Sequence, residues 1–140
     1  MSLERTKAWF EEAIPEPKEK EIAVQLGCHF EEIGEMLTAM DMGEIAEVME
    51  ASAELFKSNH PVAQQIIKNL DREALLDSLI DQNVTSVGIS HMMKFDHSGA
   101  LEEVNRSNFS KFEDGKAVFD ENGKITKGKD YVKPNLKPFV

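Results

Sequence analysis

The chain has 140 residues, 26 of them acidic and 16 basic, giving a formal net charge of −10. That length suits one domain able to bury roughly two-thirds of its unfolded surface, and its single cysteine, Cys28, closes no intrachain disulfide. So acidic a chain excludes a duplex nucleic-acid binder, which needs clustered Lys and Arg against the phosphates, but it leaves room for a nucleotide held through a metal ion.

Leu3 to Ala13 reads as a short helix stopped by Pro15 and Pro17. From Ile22 to Met40, apolar residues at Leu26, Phe30, Ile33, Leu37 and Met40 keep the spacing of a helix with one buried stripe. Gly43 to Lys57 repeats the pattern with Ile45, Val48, Met49, Ala53 and Phe56, and Asn59 with Pro61 ends it. Ala63 to Leu70 predicts a further short helix. Asp71 is a good N-cap for a long helix from Arg72 to Met93, with Leu76, Leu79, Ile80, Val84 and Val87 as its expected buried side. Ser98 is expected to cap a last helix reaching about Ser110.

Four or five helices joined by short loops predict an all-α fold, a helix bundle over residues 1–111 within a single domain of residues 1–140. Beyond Lys111 the pattern changes. Asn122-Gly123 stands between two β-prone runs, from Lys116 to Thr126, which is a strong hairpin signal. Tyr131 to Val140, with Pro134 and Pro138, predicts an extended tail. A lone hairpin is marginal in water, so the hairpin and tail of residues 112–140 are expected to lie on the bundle or on a partner subunit. No apolar run is long enough for a secretory leader or a membrane span. The expected setting is therefore a reducing cytoplasm, with neither membrane nor nucleic acid as partner.

The acids carry the best chemical clue. Glu31, Glu32 and Glu35 lie on one helical stretch, and Asp77 and Asp81 on another. Residues three or four apart share a helix face, so two such flanks could converge on a divalent cation. The plain alternative is a solvated acidic face opposite the apolar stripe. Against it, the cluster has no Lys or Arg at helical spacing to relieve its repulsion, and Gly34 inside the helix suggests that a backbone or ligand approaches closely. Carboxylates suit Mg²⁺, with Mn²⁺ as a substitute. His29, His60, His91 and His97 show no metal-ligand spacing. Asn105 to Lys111 gathers donors at a helix end: a simple cap, or phosphate contacts with Arg106 as a fork and Lys111 as a point charge. Trp9, Phe10 and Gln25 could meet a base, although an aromatic on a first helix is more often core. Cys28, with no histidine motif, reads as a packing residue.

Glu32-Ile33-Gly34-Glu35-Met36 resembles the first metal motif, E-E-x-x-E, of the MazG-like all-α nucleoside triphosphate pyrophosphohydrolases. Asp81, Gly88, the run from Glu103 to Asn108 with Lys111, and the segment from Asp120 to Pro134 are similar in spacing to the phosphoribosyl-ATP pyrophosphohydrolase-like branch. The resemblance implies Mg²⁺ ligands at Glu32, Glu35 and Asp81, and Glu31 as a further ligand or the group that orients water. It also implies phosphate contacts at Asn108 and Lys111. Where that family's second motif has a glutamate three residues before the aspartate, this chain has Ser78, and Asp77 is the nearest acid.

The expected activity is Mg²⁺-dependent hydrolysis of a nucleoside triphosphate between the α and β phosphates, giving the monophosphate and pyrophosphate. The expected catalytic residues are Glu31, Glu32 and Glu35. The metal ligands are Glu32, Glu35, Asp77 and Asp81, and the substrate contacts are Arg106, Asn108 and Lys111. The resemblance further implies a homodimer or homotetramer. The alternatives are a phosphoribosyl-ATP pyrophosphohydrolase and a non-catalytic helical dimerisation or binding module.

Overall fold

The computed structural model describes residues 2–140. The described residues are all-α, with six helices and a small two-strand antiparallel hairpin near the C-terminus. Its internal packing falls into two compact units. One comprises Glu16–Leu70 and Phe119–Lys124; the other comprises the chain up to Pro15, Asp71–Val118 and Ile125–Val140.

Counting from the N-terminal helix α1 (Ser2–Ala13), the first unit holds α2 (Glu19–Ala39), α3 (Gly43–Lys57) and α4 (Pro61–Asn69). The backbone amide of Lys18 donates to Glu21 at the start of α2, filling one of the orphan positions of a helix end. Asp41 and Asn59 take the left-handed conformation in the two connections, which Asp and Asn tolerate better than other side chains. The α2–α3 seam is made of small residues: Ala23, Gly27 and Gly34 are buried on α2, and Ala46 and Ala53 on α3. A Cβ on Gly27 would sit 2.8 Å from the Ala53 carbonyl oxygen, so the two backbones approach as closely as glycine allows. At Gly34 a Cβ would meet that of Met49 at 3.4 Å. The close neighbour expected at Gly34 is therefore α3.

Of the larger apolar residues Val24 and Phe56 are buried, Phe56 packing on Phe30 of α2 at 5.5 Å, while most of the others flank this seam. Leu26, Phe30, Ile33 and Leu37 are half-buried, while Met40, Ile45 and Val48 are exposed, which corrects the expectation that they form the buried stripe. Large side chains hold helix axes apart, and small ones let them close.

The second unit contains α1 (Ser2–Ala13), α5 (Arg72–Met92) and α6 (His97–Phe109). Its core is Trp9, Ala13 and Phe112, packed with Phe10, Ile14, Phe109, Ala117 and Ile125. Trp9 stacks on Phe112 at 6.0 Å and meets Phe10 edge-on at 4.9 Å, the offset geometries that aromatic quadrupoles favour. Asn105 of α6 is almost fully buried; it accepts from Thr6 Oγ1 at 2.8 Å and donates to the Ser2 carbonyl at 2.8 Å, pinning α1 to α6.

Asp71 caps α5 as expected, accepting from the amides of Glu73 and Ala74. The cap of α6 is Asp96, which accepts from the Gly99 amide, and not Ser98. The two cap-type residues stand two apart, and the amide of Asp96 is held by the Phe139 carbonyl, which fixes the earlier start. The buried side expected on α5 is not found: no residue of this helix is buried, and Leu76, Ile80, Val84 and Val87 are all at least half exposed. Its periodicity marks an apolar face without supplying what covers it.

The strands β1 (Val118–Phe119) and β2 (Ile125–Thr126) are only two residues each. Asp120 organises the turn, its Oδ1 accepting from the amides of Asn122 and Lys124, and Gly123 alone there has positive φ, at 83°. The turn is thus wider than a two-residue Asn-Gly connection, with glycine at the left-handed position. The tail follows α6. Val132 donates to Ser110 Oγ, Asn135 donates to Glu103, and a 3₁₀ turn at Lys137–Phe139 ends it. Among the described residues no helix is long and apolar enough to cross a membrane.

Candidate functional site

The acids of α2 differ sharply in environment. Glu31 is partly buried, and its Oε2 accepts from Lys57 Nζ at 2.8 Å and Lys124 Nζ at 3.0 Å. Lys57 stands in the last turn of α3 and Lys124 in the hairpin turn, both within the same unit as α2. The hydrogen bond from Lys57, reinforced by Lys124, holds the Glu31 carboxyl below the usual glutamate range despite the opposing effect of burial. Burial alone would lower the Lys124 ammonium, but the bond to Glu31 carries it above its ordinary value. The counter-charge missing from the local sequence is therefore supplied from a distance.

Glu32 and Glu35 are exposed on α2. The field of Glu32 reaches both Lys124 and Cys28. From α3, Glu50 comes alongside, its Cγ 3.9 Å from a Cβ placed on Gly34. Sequence spacing on α2 gave no sign of Glu50, Lys57 or Lys124. The Cys28 thiol is partly buried, and that burial pushes its pKa up, away from the thiolate a nucleophile needs. It packs, as expected.

Asp77 and Asp81 are exposed on α5, in the other unit, and Gly88 on the same helix has no neighbour within 4 Å of an added Cβ. Arg106, Asn108 and Lys111 all take part in holding that unit together. Arg106 forks onto Glu103 with two bonds of 2.7 Å and reaches the Lys133 carbonyl at 3.3 Å. The Asn108 carbonyl accepts from Trp9 Nε1, and Lys111 Nζ lies 5.6 Å over the Trp9 ring. Trp9 is core, and Gln25 is exposed. Glu103, unremarked in the sequence, is the organiser here. Its pairing with Arg106, and then the amide of Asn135, push its carboxyl down to about 2.

Among the described residues no three His, Cys, Asp or Glu side chains gather as a group that could hold a metal ion. His60 caps α4 through Nδ1, and His97 Nδ1 meets Ser90 Oγ at 2.8 Å. A closed protein cage is therefore absent among these residues. What α2 offers instead is a pair of exposed carboxylates one turn apart. That donor set fits Mg²⁺, which commonly takes one or two carboxylates and completes its octahedron with water and phosphate oxygens. Comparison with models of known protein families, with curated proteins and with solved structures gave no match for this chain.

Proposed function

We propose that this chain is a Mg²⁺-dependent nucleoside triphosphate pyrophosphohydrolase, cleaving between the α and β phosphates to release a nucleoside monophosphate and pyrophosphate. The observation that carries the reading is the division of labour on α2: Glu32 and Glu35 are exposed, while Glu31 beside them is held ionised by two lysines. The resemblance of this stretch to the E-E-x-x-E motif supplies the reaction class.

In this reading Glu32 and Glu35 hold the ion, and the expected ligands Asp77 and Asp81, which lie in the other unit, are left out of it. When bound, the ion neutralises phosphate charge and lowers the pKa of a water. Glu31 orients the attacking water, its carboxyl being held ionised by Lys57 and Lys124 in the unliganded protein. The expected phosphate contacts Arg106, Asn108 and Lys111 lie in the other unit, where they serve its internal packing. Contact of Arg106 with a phosphate means exchanging its fork on Glu103 for an equivalent charge-assisted pair.

The proposed assembly is a homodimer or homotetramer. Support comes from α5, whose Leu76, Val84 and Met92 are exposed by 61%, 65% and 79%, more apolar surface than a lone helix keeps in water without cause. A second reading, a non-catalytic helical module, rests on the neutralisation of Glu31, which a structural ion pair explains equally well. Incubation of the pure protein with a panel of nucleoside triphosphates and phosphoribosyl-ATP, with and without Mg²⁺, separates these. Pyrophosphate release supports a hydrolase and names its substrate; single phosphate, or no product at all, removes it.

A further inference from the structure

We propose that Lys57 and Lys124 form an oxyanion clamp that grips the pyrophosphate end of the substrate, with the Glu31 carboxylate occupying that clamp in the unliganded protein. The inference rests on the reading of α2 as a nucleotide site and assigns cationic partners that the sequence did not suggest.

Both ammonium groups converge on one oxygen, Glu31 Oε2, at 2.8 and 3.0 Å. Two cations gathered on Glu31, with Glu32 also acting on Lys124, stand against two carboxylates. The side chain of Lys20 reaches the same hairpin, its Nζ 3.7 Å from a Cβ placed on Gly123, and adds a third cation at the turn that carries Lys124. Carboxylate and phosphate oxygens present the same kind of acceptor to an ammonium, so the geometry that holds Glu31 also suits a phosphate oxygen.

Position and charge agree. Glu35 stands one turn beyond Glu31 on the same face of α2, with Cβ atoms of such pairs about 5–6 Å apart. That is a distance which adjacent phosphates can bridge between a metal-binding carboxylate and the lysines. Glu32 also acts on Lys124. A divalent cation held by Glu32 would cancel this field and leave the two ammonium groups less compensated. The turn that presents Lys124 is fixed by Asp120 through two backbone amides, which makes the clamp preorganised on the hairpin side.

The test is calorimetric binding of inorganic pyrophosphate, with Mg²⁺ present, to the full chain and its variants. Glu31→Gln removes the competing carboxylate, and pyrophosphate then binds severalfold tighter. Lys57→Gln and Lys124→Gln each weaken it by about tenfold, and Lys124→Arg restores binding. Unchanged or weaker binding by Glu31→Gln, or unchanged binding by both lysine variants, overturns the clamp and leaves an ionic latch. Should a lysine variant fail to fold, amine acetylation of the wild-type protein decides. Protection of Lys57 and Lys124 by pyrophosphate, with Lys7 reacting as before, supports the clamp; equal labelling refutes it. Turnover plays no part in either readout. A wild-type protein that binds pyrophosphate through these lysines but hydrolyses no nucleotide contradicts the hydrolase reading alone.

Discussion

Gly27 of α2 lies against the backbone of Ala53 of α3, so that any Cβ at position 27 would stand 2.8 Å from the Ala53 carbonyl oxygen and 2.9 Å from the Lys57 amide nitrogen. Backbone atoms cannot swing aside as a side-chain tip can. Gly27→Ala is therefore expected to force the helices apart and to destabilise the fold by about 1–3 kcal/mol, the usual cost of overpacking. Gly88→Ala is the opposite case: the position is helical and open, and alanine there is expected to stabilise by about 0.5–1 kcal/mol. Urea denaturation of the two variants reads both signs. A destabilising Gly88→Ala would mean that α5 has a close neighbour.

Asn105 offers a second check on stability. Its side chain is buried and satisfied from both ends, by Thr6 and by the Ser2 carbonyl. Asn105→Ala leaves these partners without it and is expected to cost about 1–3 kcal/mol. Because Trp9 is the only tryptophan and sits in the α1–α6 core, its fluorescence reports this unit directly. An earlier unfolding midpoint with a red-shifted emission is the expected result.

The tail should come loose in acid, and the sign follows from Glu103. Its carboxyl is depressed from an ordinary 4.5 to about 2, first by Arg106 and then by the Asn135 amide. A depressed carboxyl contributes stability above its unfolded pKa, and the contribution is lost as pH falls through the folded one. The protection factor of the Asn135 amide, its exchange rate relative to the intrinsic rate at each pH, should thus be high at neutral pH and fall between roughly pH 4.5 and 2. Glu103→Gln should show the loosened tail already at pH 7. A tail equally protected in that variant would show that Glu103 is not its anchor.

Much of this architecture could be read from the chain. Residues 43–57 are delimited at both ends in the sequence, and Asp71 stands out as a cap, because local backbone chemistry decides both. The start of α6 is not legible there, because Asp96 and Ser98 both make acceptable caps and the choice depends on Phe139, far along the sequence. Leu26 and Ile33 gave the right period for α2, yet the seam runs through Ala23, Gly27 and Gly34; periodicity favours large apolar residues, whereas close helix contact favours small ones. At the candidate site, Glu31, Glu32 and Glu35 were visible as a cluster. Lys57 and Lys124 were not, because ion pairs spanning 26 and 93 residues leave no local pattern.

Assembly is testable through α5. Val84, exposed by 65%, is expected to lie in a subunit contact of the proposed homodimer or homotetramer. Val84→Glu should reduce the sedimenting mass to that of the monomer, 15.8 kDa, by burying an unpaired charge. A wild-type chain that already sediments as a monomer at micromolar concentration would remove this part of the account.

The most direct test is product analysis with Mg²⁺ and a nucleoside triphosphate, wild type beside Glu35→Gln. Pyrophosphate and the monophosphate should appear with the wild type, vanish on chelation, and fail to appear with a Glu35→Gln protein that unfolds no earlier, since removal of one of several crowded acids relieves repulsion. Equal turnover by the variant, or none by the wild type with any nucleotide, would contradict the assignment of α2 as a metal-dependent hydrolase site.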